Sequence, residues 1–280
     1  MNIGEINTLT VSHHTPQGMY VKDNLENVIL VPKRYVTAEF PADTELDFFV
    51  YKDSEDRPVA TTEVPHLYVN QAGFLTIKQK TKFGYFLDWG IAKDVLLPNS
   101  ESSPDLQEGK EILVYLYEDK ATNRIVATSN IRKFIKNTIL SIEEKDEVNC
   151  LIYDKNEIGY LAVINHKHFG ILYFTEVFRK IKRGEQLIAY VRKIREDQKV
   201  DLVLQKPGFQ ALETETTVMI YEKLKREKTI PLHDGSSPAD IYAVLGISKK
   251  TFKKAVGILY KEKKVVLTGF SIEINQEIGD

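Results

Sequence analysis

Three glycines set the frame of this chain. Gly18, Gly84 and Gly159 recur at intervals of 66 and 75 residues. Other landmarks keep step with them. Leu30-Val31-Pro32, Leu96-Leu97-Pro98 and Ile171-Leu172-Tyr173 follow at the same intervals, and Gly109-Lys110-Glu111-Ile112 answers to Gly184-Glu185-Gln186-Leu187. Arg57-Pro58-Val59-Ala60-Thr61 matches Arg124-Ile125-Val126-Ala127-Thr128 one residue out of step, and Lys199 lies 75 after Arg124. Ordered landmarks at near-constant spacing mean one module repeated, and a repeat dictates the fold before any local reading does. The first 205 or so residues therefore hold three copies.

Each copy reads as strand, glycine, strand, apolar return, variable loop and two strands joined by a charged turn. Short strands with regular turn signals make an all-β module. A five-stranded barrel of the OB type fits this order, and its second and third strands offer a nucleic-acid face. The stretch Lys80 to Pro98 shows the pattern best. Period-two alternation puts Tyr85, Leu87 and Trp89 on a core face, and Gly84, Phe86 and Asp88 on the other. Strict alternation separates Phe83 from Phe86, and Gly84 permits a bend that would bring both to one surface. Aromatics can stack on bases and Lys80 and Lys82 can neutralise phosphate, which points to a nucleic-acid surface; a core strand with a stray exposed phenylalanine is the alternative.

The second copy resembles the RNA-binding module named from ribosomal protein S-one. It carries Phe83-Gly84, Phe86, the return Leu96-Leu97-Pro98, and Asp119 with Arg124 as the late turn. The resemblance implies that Phe83, Phe86 and Arg124 contact RNA. The return histidine of that module is replaced by Pro98, and by Pro32 and Tyr173 in the other copies; Gln17 and Ile158 stand where the first phenylalanine would be.

Charge separates the copies. Residues 1–63 carry five basic and eleven acidic side chains, residues 64–137 ten and eight, and residues 138–205 eleven of each. Phosphate contacts supply most nucleic-acid affinity, so the first copy is expected to be mainly structural or protein-contacting and residues 64–280 to carry binding. Within the third copy, Arg179, Lys180, Lys182, Arg183, Arg192, Lys193 and Arg195 gather in the second half. The run Ser129 to Asn137 has Ile131, Phe134 and Ile135 at helical spacing, with Arg132, Lys133 and Lys136 opposite, which predicts a short amphipathic helix.

Lys206-Pro207-Gly208-Phe209 breaks the pattern. Beyond it, over 214–280, a helix and a short strand are followed by a helix capped by Ser237 with Pro238 at its first turn and Gly246 at its end, a helix capped by Ser248, and a hairpin turning near Gly269. That order is a winged helix. Lys249, Lys250, Lys253 and Lys254 lie on the polar side of its third helix. Base reading favours arginine, asparagine and glutamine, so these lysines predict phosphate contact without sequence preference. The expected whole is a mainly β chain with a C-terminal α+β domain: three tandem barrels, then a winged helix.

Other chemistry finds no purchase. There is no phosphate-binding GxxxxGK, nucleophile elbow, HExxH or CxxC, so neither a catalytic residue, a cofactor nor a metal is expected. Cys150 alternates with Val148 and Ile152 as a buried strand thiol, and the pairs His13-His14 and His166/His168 lack a third ligand at recognisable spacing. No apolar run has membrane-spanning length and the opening residues show no signal pattern, so a cytoplasmic monomer is expected. Over its length the chain resembles the conserved virulence factor B family (CvfB, YitL-like) of Gram-positive bacteria, on FGYFLDWG with DVLLP and RIVATS. That resemblance implies a non-catalytic RNA-binding protein influencing expression of other genes, with mRNA or the ribosome left open as the partner. The alternative is a DNA-binding transcription regulator acting through the winged helix.

Overall fold

Strand register repeats the sequence intervals residue for residue. The computed structural model describes residues 1–36, 40–103, 106–177, 179–204 and 215–275. In the first barrel β1 (Ile6–Thr15), β2 (Gly18–Lys22), β3 (Val28–Pro32), β4 (Glu45–Lys52) and β5 (Pro58–Thr61) close in the order β1-β2-β3-β5-β4. The second has β6 (Ala72–Thr81), β7 (Gly84–Leu87), β8 (Val95–Pro98), β9 (Glu111–Asp119) and β10 (Arg124–Thr128) in the same order. So does the third, with β11 (Glu147–Lys155), β12 (Gly159–Ile164), β13 (His168–Tyr173), β14 (Gln186–Ile194) and β15 (Val200–Val203). The hairpin pairs Gly18 with Pro32, Gly84 with Pro98 and Gly159 with Tyr173. The parallel closure pairs Leu30 with Val59, Leu96 with Val126 and Ile171 with Asp201. This is the OB order in triplicate.

The landmark glycines are there because the return strand passes too close for a side chain. A Cβ on Gly18 would lie 2.1 Å from the Val31 carbonyl oxygen, on Gly84 2.1 Å from that of Leu97, and on Gly159 2.6 Å from that of Leu172. A β-bulge also recurs, between Val11 and His13, Ile77 and Gln79, and Ile152 and Asp154.

Each barrel fills its interior with alternate residues, and some strands are covered on both faces. In β4, Phe48 and Val50 enter the first barrel's core while Phe49 and Tyr51 join the second barrel's core beside Trp89 and Tyr85. Phe49 meets Trp89 edge-on at 5.4 Å, and the Trp89 indole donates to the Leu67 carbonyl at 2.7 Å. Hiding a ring of this size is worth about 2–3 kcal/mol. Between the second and third barrels, Ala72, Tyr115, Ile131, Ile135, Leu151 and Val163 form a further apolar cluster.

The helix predicted over Ser129 to Asn137 is instead a single 3-10 turn, Ile131–Lys133. Ile131 and Ile135 do point inward, but the segment is tied down at both ends. Lys133 reaches back to Glu101 at 2.6 Å, and the Lys136 amide donates to the Lys167 carbonyl at 3.1 Å. Phe134 stacks on Tyr115 at 4.7 Å. The charged run Glu143 to Asp146 turns into β11, with the Lys145 amide donating to the Val191 carbonyl.

Residues 1–204 form one compact unit and 205–280 another. The second unit has α1 (Glu215–Glu227), β16 (Thr229–Ile230), α2 (Pro238–Leu245), α3 (Lys249–Lys261), β17 (Val265–Leu267) and β18 (Ile272–Ile274), with the sheet ordered β16-β18-β17. Ser237 accepts from the Asp240 amide and Ser248 from the Thr251 amide, capping α2 and α3. Gly246 ends α2 at φ 68°. Phe252, Ala255, Val256 and Leu259 of α3 pack on Ile220, Leu224 and Ile241. The element order is that of a winged helix. The break at 206–209 lies outside the described residues.

Candidate nucleic-acid interface

Strand β7 presents its two faces as alternation requires. Tyr85, Leu87 and Trp89 are buried, and Phe86 is half exposed on the opposite face. Phe83 stands at the β6–β7 tip, 66% exposed, with the Lys82 ammonium 4.9 Å above its ring. Lys80 lies 5.6 Å from the Tyr85 ring. Neither ammonium is paired with a carboxylate among the described residues. Lys78, by contrast, bridges Asp94 at 2.8 Å and Asp88 at 3.2 Å, and the Asp94 hydrogen bond raises its pKa.

Phe86 lines a cavity of about 140 Å³ with Leu96, Trp89, Lys52, Lys93 and Arg124, and Phe83 takes no part in it. Lys52 belongs to the first barrel. Arg124 spends its guanidinium on Asp56 of the first barrel, at 2.6 and 2.5 Å. The Lys93 ammonium donates to the carbonyls of Lys52 at 2.6 Å and Asp53 at 2.8 Å. Burial, and then the nearby Arg124 charge, hold its pKa below the ordinary lysine value.

In the third barrel most of the clustered arginines are already bound: Arg179 to Glu185 and Arg192 to Glu176, each at 2.6 Å. Arg183 lies 4.6 Å from the Phe74 ring of the second barrel. Arg195 holds Asp201 at 3.0 Å and donates to the Tyr173 hydroxyl at 2.6 Å. Asp201 is the sequence signal for this triad, because Val59 and Val126 occupy the matching place.

On α3, Lys250, Lys253 and Lys254 are exposed and Lys249 is half exposed. Lys253 pairs with Asp234 at 3.0 Å. Three of the histidines proposed and set aside as ligands are occupied locally: His14 lies 2.8 Å from the Phe40 carbonyl, His166 3.1 Å from that of Ala72 and His168 2.9 Å from that of Lys136. His13 stacks on Tyr20 at 4.8 Å. Cys150 is buried, which pushes its thiol up to about 12. Among the described residues no helix is long and apolar enough to cross a membrane.

Comparison with known proteins places the first two barrels and the helical unit in named families. Residues 3–63 and 73–130 match the S1 domain family, and residues 218–274 match the CvfB-like winged helix domain family. The chain thus combines S1 domains with a CvfB-like winged helix domain. YitL of Bacillus subtilis is 26% identical over 95% of this chain and 91% of its own length. Conserved virulence factor B of Staphylococcus saprophyticus is 23% identical over 83% and 80%. A solved multidomain protein with nucleic acid binding domains from Streptococcus pneumoniae is 22% identical, covers 97% of this chain and 98% of its own, and has a TM-score of 0.40. The S1 and winged-helix matches make this chain a carrier of nucleic-acid-binding domains.

Proposed function

We propose that this CvfB-like protein binds single-stranded RNA and performs no chemistry on it. One observation carries the reading: on the S1-matched second barrel, the exposed Phe83 and half-exposed Phe86 lie on the β6–β7 hairpin with Lys80 and Lys82, whose ammonium groups lack carboxylate partners among the described residues. Stacking is tolerant of base identity and ammonium groups track the backbone. The lysines of α3 add phosphate contacts of the same sequence-indifferent kind.

The protein acts on this reading as a cytoplasmic monomer that influences gene expression after transcription, with mRNA, free or on the ribosome, as its partner. Neither a metal nor a cofactor is required. The domain limits we assign are 1–63, 64–137, 138–205 and 214–280. Titrating the whole chain with single-stranded RNA and duplex DNA over a range of salt tests the proposal. RNA should bind more tightly, and its affinity should fall steeply with salt as counterions are released. Tighter binding to duplex DNA, or affinity indifferent to salt, overturns it in favour of a winged-helix DNA regulator or of a partner that is not a nucleic acid.

A further inference from the structure

We infer that the cleft between the first and second barrels is a nucleotide site, where a base stacks on Phe86 and the first barrel helps to hold its phosphate. The inference rests on the RNA reading above and adds to it a site built from two barrels. The 140 Å³ cavity shares Phe86, Lys93 and Asp94 with a neighbouring hollow of about 460 Å³, to which the first barrel contributes Arg34 and Tyr51.

The charges are the deciding feature. The first copy is acidic overall, yet at this edge the carboxylates are committed. Asp53 accepts from Arg57 at 2.8 Å, Asp56 holds Arg124, and Asp94 holds Lys78. Lys93 donates to two neutral carbonyls and Lys52 to a third, that of Asn123 at 2.8 Å. Arg34 lies 4.6 Å over the Tyr35 ring. None of these three cations has a carboxylate within ion-pairing distance among the described residues. An ammonium has three donors, so Lys93 keeps one for an incoming oxygen. Its partial burial without an anion is unfavourable, and an arriving phosphate would relieve it. A bare anion would leave the half-exposed Phe86 ring unused, whereas a nucleotide uses both the ring and the cations.

On this inference the first copy, expected to be mainly structural or protein-contacting, also takes part in binding. Removing residues 1–63 cannot test this, because Phe49 and Tyr51 complete the second barrel's core. Point variants of the full chain can. The probe is a fluorescein-labelled oligouridylate, followed by anisotropy at several salt concentrations. Arg34→Ala changes an exposed side chain, and Lys93→Gln keeps an amide donor for the two carbonyls. Each should weaken binding about three- to tenfold and reduce the salt slope by about one counterion. Thermal melts check that both variants fold; if Lys93→Gln does not, Arg34→Ala decides alone. Affinity within twofold of wild type for the folded variants, alongside a Phe86→Ala variant that does lose affinity, overturns the cleft and leaves the RNA reading standing. A wild-type chain that does not bind the probe overturns both.

Discussion

Arg124 of the second barrel grips Asp56 of the first through two nitrogens, at 2.6 and 2.5 Å. The two residues belong to matching turns of successive copies. In the first copy the turn runs from Asp53 to Arg57, and Arg57 folds back on Asp53. In the second it runs from Asp119 to Arg124, one residue longer, and Asp119 is taken by Thr122 instead. The extra residue frees Arg124 to reach across. The single slip in the repeat interval is thus the origin of a bond between barrels.

Asp56→Asn should tighten RNA binding about two- to fivefold, because it removes a negative charge at the cleft and releases a guanidinium for phosphate. Unchanged or weaker binding would show that Arg124 serves only to join the barrels. The Arg124 hydrogen bond holds the Asp56 carboxyl below its usual range. The pair is therefore intact above the ordinary carboxylate pKa and is lost only as pH falls through the depressed value. The effect of Asp56→Asn on RNA affinity should therefore be the same at about pH 5 and pH 7, which titrations of wild type and variant at both pH values check.

Phe86 and Tyr85 are neighbours with opposite duties. Phe86→Ala should weaken RNA binding roughly five- to a hundredfold, the worth of a stacked base at about 1–3 kcal/mol, while the melting temperature stays near wild type. Tyr85, 4% exposed, faces the core. Tyr85→Ala should cost about 3 kcal/mol or more of stability. Melts and titrations on both variants decide it. A collapsed Phe86→Ala beside a folded, weakly binding Tyr85→Ala would mean that the strand's faces are reversed.

What the sequence discloses here follows from what repeats. Glycine, return strand and late turn recur because each barrel solves the same steric problem, so the triplicate was readable from spacing alone. The winged helix was readable from its caps, Ser237 and Ser248, and its stop at Gly246. The bulges at Ser12, Lys78 and Tyr153 were not, because three dissimilar residues occupy them and a bulge needs no particular side chain. Nor was the cleft, since Lys52 and Lys93 lie far apart in sequence and their partners are backbone carbonyls. The runs Phe48 to Tyr51 and Leu113 to Tyr117 held an unused sign: apolar residues on both faces of a strand mean cover on both sides. The Ser129 to Asn137 segment misleads because its apolar spacing serves contacts to two barrels rather than a helix face.

Two glycines should fail differently when replaced by alanine. Gly84, at φ 148°, has a carbonyl oxygen 2.1 Å from where a Cβ would be, so the β7–β8 hairpin must open. Gly246, at φ 68°, has open space around it, so only the left-handed backbone resists. Gly246→Ala should cost about 1 kcal/mol. Gly84→Ala should cost more than that strain alone, beyond about 1–3 kcal/mol, and should weaken RNA binding by displacing Phe83 and Phe86. Denaturant unfolding compares them; equal losses would contradict the close approach of the return strand.

The lysines at the start of α3 set stability against binding. Lys249 and Lys250 sit in the first turn, where the helix dipole is already positive, and no acidic residue offsets them there. Each such charge costs a helix about 0.3–1 kcal/mol at low salt. The same arrangement adds the dipole's field to the ammonium charges and draws phosphate toward α3. Lys250→Glu should therefore raise the melting temperature of the C-terminal unit and weaken RNA binding at once. Lys249→Gln and Lys254→Gln should weaken binding alike for every RNA sequence and lower the salt slope by about one counterion each. Lys253→Gln should matter less, since its ammonium is shared with Asp234. Calorimetry of the full chain, paired with RNA titrations, measures both quantities on the same variants. A Lys250→Glu variant that melts higher yet binds RNA as wild type does would remove α3 from the interface and leave the binding to the barrels.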